Sequence, residues 1–318
     1  MTNIYHKKEI PLVFAVDDNY APFLCVALRS IMDNASTDYY YKVYILNTGL
    51  CEDNKKRIVG IAEELSDDLS VDYVDVADRM DEIKDKTALR DYYTNTTYFR
   101  IFIPSLFPQY DKILYLDSDL VFLDDISKLY NTDLGDNIFA AIHEEAMSEF
   151  DVLGVYSEQF LGVERMRYFN AGLLVINAVE YRKADVERAF INLMTEHKFR
   201  VAQDQDYLNV VCKGRITYLD VGWNKTPIPD MTFDDKDIKV IHYKLNFKPW
   251  RYDNVRYQEP FWKYAKETPY YNDLITMRER YSQAEKDRDE LAFGNLLKMA
   301  HEDTHADYNY LKLIKSSC

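Results

Sequence analysis

Short apolar runs alternate with segments whose apolar residues recur every three or four positions, and this pattern constrains the fold most. The apolar runs predict strands at 11–16, 41–48, 70–76, 112–117, 137–142, 172–177 and 239–243. The segments with helical spacing predict helices at 21–34, 52–66, 96–107, 180–197 and 204–212. Because strands that alternate with helices form βαβ units, the sequence predicts an α/β fold with a largely parallel sheet.

Composition limits the classes of function. The formal net charge of −15 argues against a nucleic-acid partner, since phosphate backbones would be repelled. No stretch approaches the roughly 20 consecutive apolar residues that span a bilayer. Cys25 and Cys212 lie in apolar segments and are expected to be reduced, which favours a cytoplasmic location.

The usual glycine-rich phosphate-binding motifs, G-x-G-x-x-G and G-x-x-x-x-G-K-[ST], are absent from the sequence. A ligand of an open α/β sheet nevertheless binds at the carboxyl ends of the strands. The polar groups expected there are 17–20 ("DDNY"), 117–119 ("DSD"), 169–172 ("FNAG") and 241–243 ("IHY").

Asp117 and Asp119 directly follow a strongly apolar strand. This Asp-Ser-Asp has three interpretations: a solvated turn, the nucleophile motif of a haloacid-dehalogenase-type phosphatase, or a metal site. Similar Asp-x-Asp pairs recur in this acidic chain, for example at Asp204 and Asp206. However, uncompensated carboxylates are costly beside apolar strands, and Mg²⁺ or Mn²⁺ would offset that cost.

His242 ends another apolar strand, and Lys248 and Trp250 follow it. A histidine on a strand is often a hydrogen-bonded core residue, but it is also a metal ligand. Two carboxylates with one imidazole suit Mn²⁺ better than Mg²⁺. Lys248 could then hold a diphosphate as a point charge. Asn170 and Arg100 each have two interpretations, a turn or surface residue or a donor into the site.

Six motifs occur in an order that resembles glycosyltransferase family 8, particularly its bacterial lipo-oligosaccharide galactosyltransferases and glucosyltransferases, with glycogenin more distant. These motifs are "FAVDDNYAPFLCVALRSI", "YFRIFIP", "ILYLDSDLVF", "FNAGLLVIN", "DQDYLN" and "HYKLNFKPW". The resemblance covers about Ile10 to Trp262 and implies the GT-A fold, a mixed α/β sheet flanked by helices. It also implies transfer of glucose or galactose from a UDP-sugar to a saccharide or glycolipid acceptor, with Mn²⁺ and with retention of anomeric configuration.

The resemblance also implies a role for individual residues. The metal ligands would be Asp117, Asp119 and His242. The substrate contacts would be Ala15, Asp17, Asn19, Tyr20, Arg100, Ser118, Asn170, Ala171 and Lys248. The candidates for catalysis would be Gln205, which matches the residue beneath the anomeric carbon, with Asp204 and Asp206.

One position departs from the family pattern. The family often has a glycine three residues after the metal histidine, and Leu245 stands there, which puts a backbone contact to the diphosphate in doubt. The amide of Gln205 is a poor nucleophile, so front-face attack is favoured, with the departing phosphate oxygen taking the acceptor's proton. Asp204 or Asp206 as a transient nucleophile remains open.

The sequence predicts a catalytic domain at 1–265, followed by a helical extension at 266–318 whose charged, helical pattern the resemblance does not cover. The extension has mixed charges and scattered apolar residues, typical of a helical cap or a homodimer contact; weak attachment to the inner face of the membrane is a third interpretation. A non-catalytic UDP-sugar-binding protein and self-glycosylation on a tyrosine are further alternatives. Loops 78–95 and 143–167 are expected to shape substrate specificity.

Overall fold

A computed structural model describes residues 7–85, 95–228, 233–307 and 309–316. Within these ranges nine strands form, and the seven predicted strands are all among them. The strands are β1 (Lys8–Ala15), β2 (Tyr39–Asn47), β3 (Leu69–Asp75), β4 (Lys112–Leu116), β5 (Leu120–Phe122), β6 (Phe139–His143), β7 (Phe169–Asn177), β8 (Ile216–Tyr218) and β9 (Val240–His242). The sequence pattern missed β5 and β8, each only three residues long, whereas the equally short β9 was predicted from the apolar run at 239–243. Of the predicted specificity loop at 78–95, residues 86–94 lie outside the described ranges.

Seven of the strands form one mixed sheet in the order β3-β2-β1-β4-β7-β6-β8. The strands β3, β2, β1 and β4 run parallel, as the alternating pattern predicts. The direction reverses at β7, which is antiparallel to both β4 and β6. β8 is parallel to β6, so among these seven strands only β7 runs against the others. The prediction of a largely parallel sheet is therefore confirmed, and the reversed β7 makes the sheet mixed, as the resemblance implies.

Helices cover both faces of this sheet. In the described ranges they are α1 (Ala21–Asp33), α2 (Glu52–Leu65), α3 (Ala77–Asp81), α4 (Ile103–Leu106), α5 (Ser127–Tyr130), α6 (Glu145–Glu149), α7 (Asp151–Tyr156), α8 (Ala178–Lys183), α9 (Val186–Glu196), α10 (Asp204–Val211), α11 (Gln258–Ala265), α12 (Tyr271–Arg280), α13 (Gln283–His305) and α14 (Tyr310–Ser316). The stretch at 143–167, which the sequence suggested was irregular, contains α6 and α7.

Two predicted helices differ from the structure. The segment predicted as a helix at 96–107 is a 3-10 helix, Asn95–Phe102, followed by the single turn α4. Pro104 supplies no backbone N–H, so it fits the first turn of a new helix and not the interior of a continuous one. The helix predicted at 180–197 is two helices, because Asp185 adopts a left-handed conformation with φ of 50° between them.

The apolar residues form one core on each face of the sheet. The first core includes Phe23, whose ring stacks on that of Trp250 with centroids 4.0 Å apart. The second core lies beneath the 3-10 helix and α7 to α10. The C-terminal helices contribute to both, since Leu274 is buried in the first core and Ala300 in the second. The extension at 266–318 is thus packed against the sheet domain; its status as a separate domain stays a prediction.

Candidate functional site

The carboxylates of Asp117 and Asp119 and the imidazole of His242 converge at the carboxyl end of β4. One ligand atom from each side chain lies within 4.8 Å of the others. His242 Nε2 is 3.2 Å from Asp119 Oδ1 and 3.9 Å from Asp117 Oδ2. A hard oxygen pair with one imidazole is a donor set that suits a divalent metal, and among the described residues this is the cluster that offers one.

Asp117 is fixed by its neighbours on β4 and β7. Its backbone N–H donates to Gly172 O at 2.7 Å, and its Oδ1 accepts a hydrogen bond from the hydroxyl of Tyr115 at 2.7 Å. A Cβ on Gly172 would lie 2.5 Å from Asp117 Oδ2 and 2.5 Å from His242 Cε1. The glycine therefore leaves the space that lets the two metal-ligand candidates approach each other.

His242 is brought to the cluster by the two-stranded sheet of β5 and β9, in which it pairs with Leu120. Its Nδ1 lies 2.9 Å from Asn224 Oδ1, and Asn224 Nδ2 donates to Asn170 Oδ1 at 2.9 Å. Because the amide oxygen of Asn224 accepts, Nδ1 carries the hydrogen of the imidazole. The lone pair is then on Nε2, which faces the two carboxylates, as metal binding requires.

Lys248 lies beside the same cluster. It is buried, and its Nζ donates to Asp119 Oδ2 at 2.8 Å and to Tyr243 O at 2.9 Å. Burial opposes the charged forms, but the mutual attraction of Lys248 and Asp119 outweighs it. The pKa of Asp119 is therefore held below its usual range, also with help from His242, and the pKa of Lys248 is raised. Positive charge thus stands directly next to a metal-ligand candidate.

Arg100 and Asp204 form the next part of the cleft. Arg100 Nε lies 2.9 Å from Asp204 Oδ2 and 2.9 Å from Thr97 O, and Arg100 also donates to Ala171 O. Burial raises the pKa of Asp204 to about 7, although the nearby Arg100 lowers it in part. Its carboxyl group therefore exchanges a proton near neutral pH and is suited to hydrogen-bond a sugar hydroxyl.

Gln205 and Asn170 are held together between these groups. Gln205 Oε1 accepts from Ala171 N at 2.9 Å and from Asn170 Nδ2 at 3.3 Å. Asn170 Nδ2 also donates to Glu144 Oε2 at 2.6 Å, and Glu144 pairs with Lys244. Burial would raise the pKa of Glu144, but Lys244 outweighs this effect and lowers it to about 2. An ionised Glu144 therefore orients Asn170.

Asp206 does not lie on the surface of the cleft. It is fully buried, and its carboxylate accepts hydrogen bonds from Tyr168 Oη at 2.6 Å, Tyr156 Oη at 2.9 Å and Ala202 N at 2.8 Å. Asp206 is not among the described residues that line the cleft, and both of its oxygens are engaged by these donors, so the geometry does not support attack by Asp206 on a sugar; its role as a transient nucleophile stays a prediction. Asp206 supports the turn that presents Asp204 and Gln205.

The loop after β1 is the candidate nucleotide end. Ala15 and Tyr20 line the cleft, whereas Asp17 caps the loop by accepting from the backbone N–H groups of Asn19 and Tyr20 at 3.0 and 3.1 Å. Asn19 is exposed beside the cleft. Burial raises the pKa of Asp17, and those backbone donors offset part of the rise.

Two further features bear on the expected substrate contacts. Leu245 has a φ of 53°, so it keeps the left-handed conformation that a glycine would adopt easily. Ser118 is buried between the two aspartates, and its Oγ has no hydrogen-bond partner among the described residues. A buried hydroxyl without a partner is a group that a bound ligand would satisfy.

Sequence reasoning missed several residues that organise this site, namely Tyr115, Glu144, Tyr168 and Asn224. Glu144, Tyr168 and Asn224 lie outside the quoted motifs and reach the site only through the fold, whereas Tyr115 lies inside "ILYLDSDLVF", two residues before Asp117. Gly172 lay inside the quoted "FNAG" motif, and that motif was the available signal for it.

Solved structures with the same architecture define the class of protein. The structure described as the WbbM bifunctional glycosyltransferase aligns with a TM-score of 0.75 and 25% identity over 88% of this chain, which spans about half of that chain (53%). The galactosyltransferase LgtC, solved with donor and acceptor sugar analogues, aligns with a TM-score of 0.67 and 27% identity, covering 82% of this chain and 96% of LgtC. The protein is a glycosyltransferase of the GT-A fold.

The model of the family "Glycosyl transferase family 8" matches residues 11–254. The chain therefore belongs to glycosyltransferase family 8. It is 26% identical to general stress protein A of Bacillus subtilis over 281 residues, 81% of this chain and 93% of that protein. It is also 26% identical to the lipopolysaccharide 1,2-glucosyltransferase of Escherichia coli over 278 residues, 81% of this chain and 78% of that enzyme.

Proposed function

We propose that this chain transfers glucose or galactose from a UDP-sugar to a saccharide or glycolipid acceptor, with retention and with Mn²⁺. The observation that carries the proposal is the cluster of Asp117, Asp119 and His242, which come from distant parts of the chain. The likeness to LgtC and to a lipopolysaccharide glucosyltransferase supports a hexose donor.

The residues around the cluster fit a divalent metal. The Asn224 hydrogen bond leaves His242 Nε2 as an acceptor, and Gly172 leaves space between the ligands. Two carboxylates and one imidazole favour Mn²⁺ over Mg²⁺, while leaving Mg²⁺ as a weaker substitute. When bound, the metal supplies positive charge that stabilises a departing diphosphate.

Lys248 would assist the same departure. Its ammonium group is buried beside Asp119, so it needs no reorganisation to donate to a phosphate oxygen that gains charge. Tyr20 and Ala15 line the adjacent end of the cleft, where a uracil ring and its ribose would lie, and Asp17 fixes the loop that carries them.

Retention is best accounted for by front-face attack. Gln205 Oε1 already accepts from the backbone of Ala171, which makes it a still poorer nucleophile, and Asp206 is hidden. Asp204 stays next to Arg100, where it would hold hexose hydroxyls and not attack carbon. The acceptor's proton would pass to the departing phosphate oxygen.

The test is a UDP-release assay over a panel of UDP-sugars, with and without Mn²⁺. We expect Mn²⁺-dependent release from UDP-glucose or UDP-galactose, and at least a hundredfold loss in Asp119→Asn, because the substitution removes one ligand charge and the partner of Lys248. Asp237→Asn is the matched control, since Asp237 belongs to an exposed Asp-Lys-Asp. Full activity in Asp119→Asn would refute the proposal.

The alternatives give other outcomes in the same assay. Membership of family 8 argues against the haloacid-dehalogenase-type phosphatase. Such a phosphatase would hydrolyse simple phosphate esters that contain no UDP. A non-catalytic protein would bind UDP and release none from any UDP-sugar. Self-glycosylation would raise the intact mass of the enzyme after incubation with donor alone.

A further inference from the structure

The cleft has a second end that the donor does not account for. Opposite the charged groups it is lined by apolar side chains, which we call the apolar chamber: Met147, Leu153, Val201, Ala292, Phe293 and Leu296. Three of these residues belong to α13, beyond the region that the family model matches. The extension therefore builds part of the cleft wall.

The helix α13 is fixed in this position at both ends. Ser282 and Glu285 form a reciprocal cap at its start. Asp289 accepts a hydrogen bond from the hydroxyl of Tyr252 at 2.8 Å, and Tyr252 lies four residues after Lys248 in the sequence. Near the end of α13, Asp303 forms an ion pair with Arg200. Arg200 lies two residues before Ala202, where the turn that presents Asp204 begins. The wall is thus tied to both the diphosphate end and the sugar end of the cleft.

Exposure varies along α13. Ala300 is buried in the core, Leu296 is buried in the core and also borders the cleft, and Leu291 is 67% exposed to solvent. Phe293 is half-buried, with its ring 5.0 Å from that of Phe150, and the half-buried Ala292 precedes it. A small residue beside an aromatic ring leaves apolar surface facing the cleft and not filled by the protein.

The chemistry of the chamber limits what can occupy it. A UDP-hexose would place its diphosphate by Lys248 and its sugar by Asp204 and Gln205. The chamber residue Val201 lies three residues before Asp204 and lines the same cleft, so the chamber adjoins the sugar end. A saccharide ring is rich in hydroxyl groups, and the six side chains that define the chamber offer it no hydrogen-bond partner. An apolar group attached to the acceptor sugar needs no hydrogen-bond partner there, and its binding is favoured because its apolar surface is removed from water.

We propose that the apolar chamber is an acceptor subsite that takes the aliphatic aglycone of a glycolipid, with α13 as its outer wall. The inference rests on the proposed function, because the donor must fill the charged end of the cleft. It gives the extension a role in selecting the acceptor that the sheet domain alone does not supply.

The test compares binding of octyl and methyl β-D-glucosides and β-D-galactosides to the full chain with Mn²⁺ and UDP, below the concentration at which octyl glycosides form micelles. Isothermal titration is the measurement. We expect octyl glycosides to bind at least about tenfold tighter than their methyl counterparts, from the apolar area removed from water. In Ala292→Phe the added ring fills the chamber, and the preference should fall to about twofold or less.

Leu291→Ala is the matched control, because Leu291 lies on the same helix and points its side chain to solvent. It should keep the wild-type preference, and thermal unfolding should show that both variants fold. Equal binding of octyl and methyl glycosides to the wild type, or an undiminished preference in Ala292→Phe, would overturn the subsite. Failure of the proposed function is distinct from this, since it would show as absence of Mn²⁺-dependent UDP release.

Discussion

Asp206 shows how one residue can matter to the site without touching a substrate. Its carboxylate is fully buried, and its three hydrogen-bond donors, Tyr156, Tyr168 and Ala202, are all uncharged. Burial raises the pKa of Asp206 to about 6, and those donors limit the rise. Gln203, just before Asp204 and Gln205, has a φ of 50°, a strained conformation for this residue type. The hydrogen bond that the backbone N–H of Ala202 donates to Asp206 holds that strained turn in place.

A pH dependence of stability follows at this residue. The pKa of Asp206 is higher in the folded chain than in the unfolded chain. At pH values between these two pKa values the folded chain binds more protons than the unfolded chain, so the free energy of unfolding falls as pH rises. Relative to Asp206→Asn, the wild type should lose about 2 kcal/mol of unfolding free energy between about pH 4.5 and about pH 7.5. Urea denaturation of both proteins at the two pH values measures this. Parallel pH profiles would contradict the assignment.

At the same scale, residue type predicted the charged members of the site but not those that orient them. Asp117, Asp119 and His242 carry chemistry that is recognisable at strand ends. Asn224 could not be found this way, because an asparagine in a loop most often serves a turn. Its role depends on the neighbours that the fold places on either side, His242 and Asn170.

Three strands produce the geometry of the metal-site candidate. β4 ends one residue before Asp117, β5 begins one residue after Asp119, and β9 pairs with β5 to deliver His242. The neighbouring strand β7 passes directly beneath this junction at Gly172. A glycine at the crossing lets the backbone of one strand approach ligands from two others.

Gly172→Ala should therefore separate the ligands. Its Cβ would meet Asp117 Oδ2 and His242 Cε1 at 2.5 Å, so we expect at least a tenfold loss of Mn²⁺ affinity, measured by titration. Gly60→Ala is the matched control, because Gly60 lies in α2 with nothing within 4 Å of its added Cβ. That control should keep Mn²⁺ binding and gain about 0.5–1 kcal/mol of stability from the reduced backbone entropy of the unfolded chain. Unchanged Mn²⁺ affinity in Gly172→Ala would show that the ligands tolerate the contact.

Across the whole molecule, the helix α13 lies outside the family match and connects two segments that lie within it. α13 spans from the segment after Lys248 to the segment before Asp204, and its apolar side packs across α7. No helix in the described residues is both long enough and apolar enough to span a membrane. Among the expected roles of the extension, a helical cap agrees with this arrangement; homodimer formation and membrane attachment stay predictions.

Asp289→Ala should weaken this connection. Asp289 is 3% exposed and accepts hydrogen bonds from the hydroxyls of Tyr252 and Tyr281, both at 2.8 Å. Its loss leaves these half-buried hydroxyls without that buried acceptor, and we expect a decrease in unfolding free energy of about 1–3 kcal/mol in urea denaturation. The exposed Asp287, two residues earlier on the same helix, should tolerate alanine within about 0.5 kcal/mol. Equal effects of the two substitutions would argue against a buried anchor.

The sequence by itself determined the alternation of elements, the largely parallel sheet and the residue types that gather at strand ends, because these depend on local periodicity and on chemistry that is the same in any fold. Only the tertiary structure decided that Asp206 turns inward, that Asn224 orients His242 and that α13 walls the cleft. Those outcomes depend on contacts between residues far apart in the chain, whose distances no local pattern encodes.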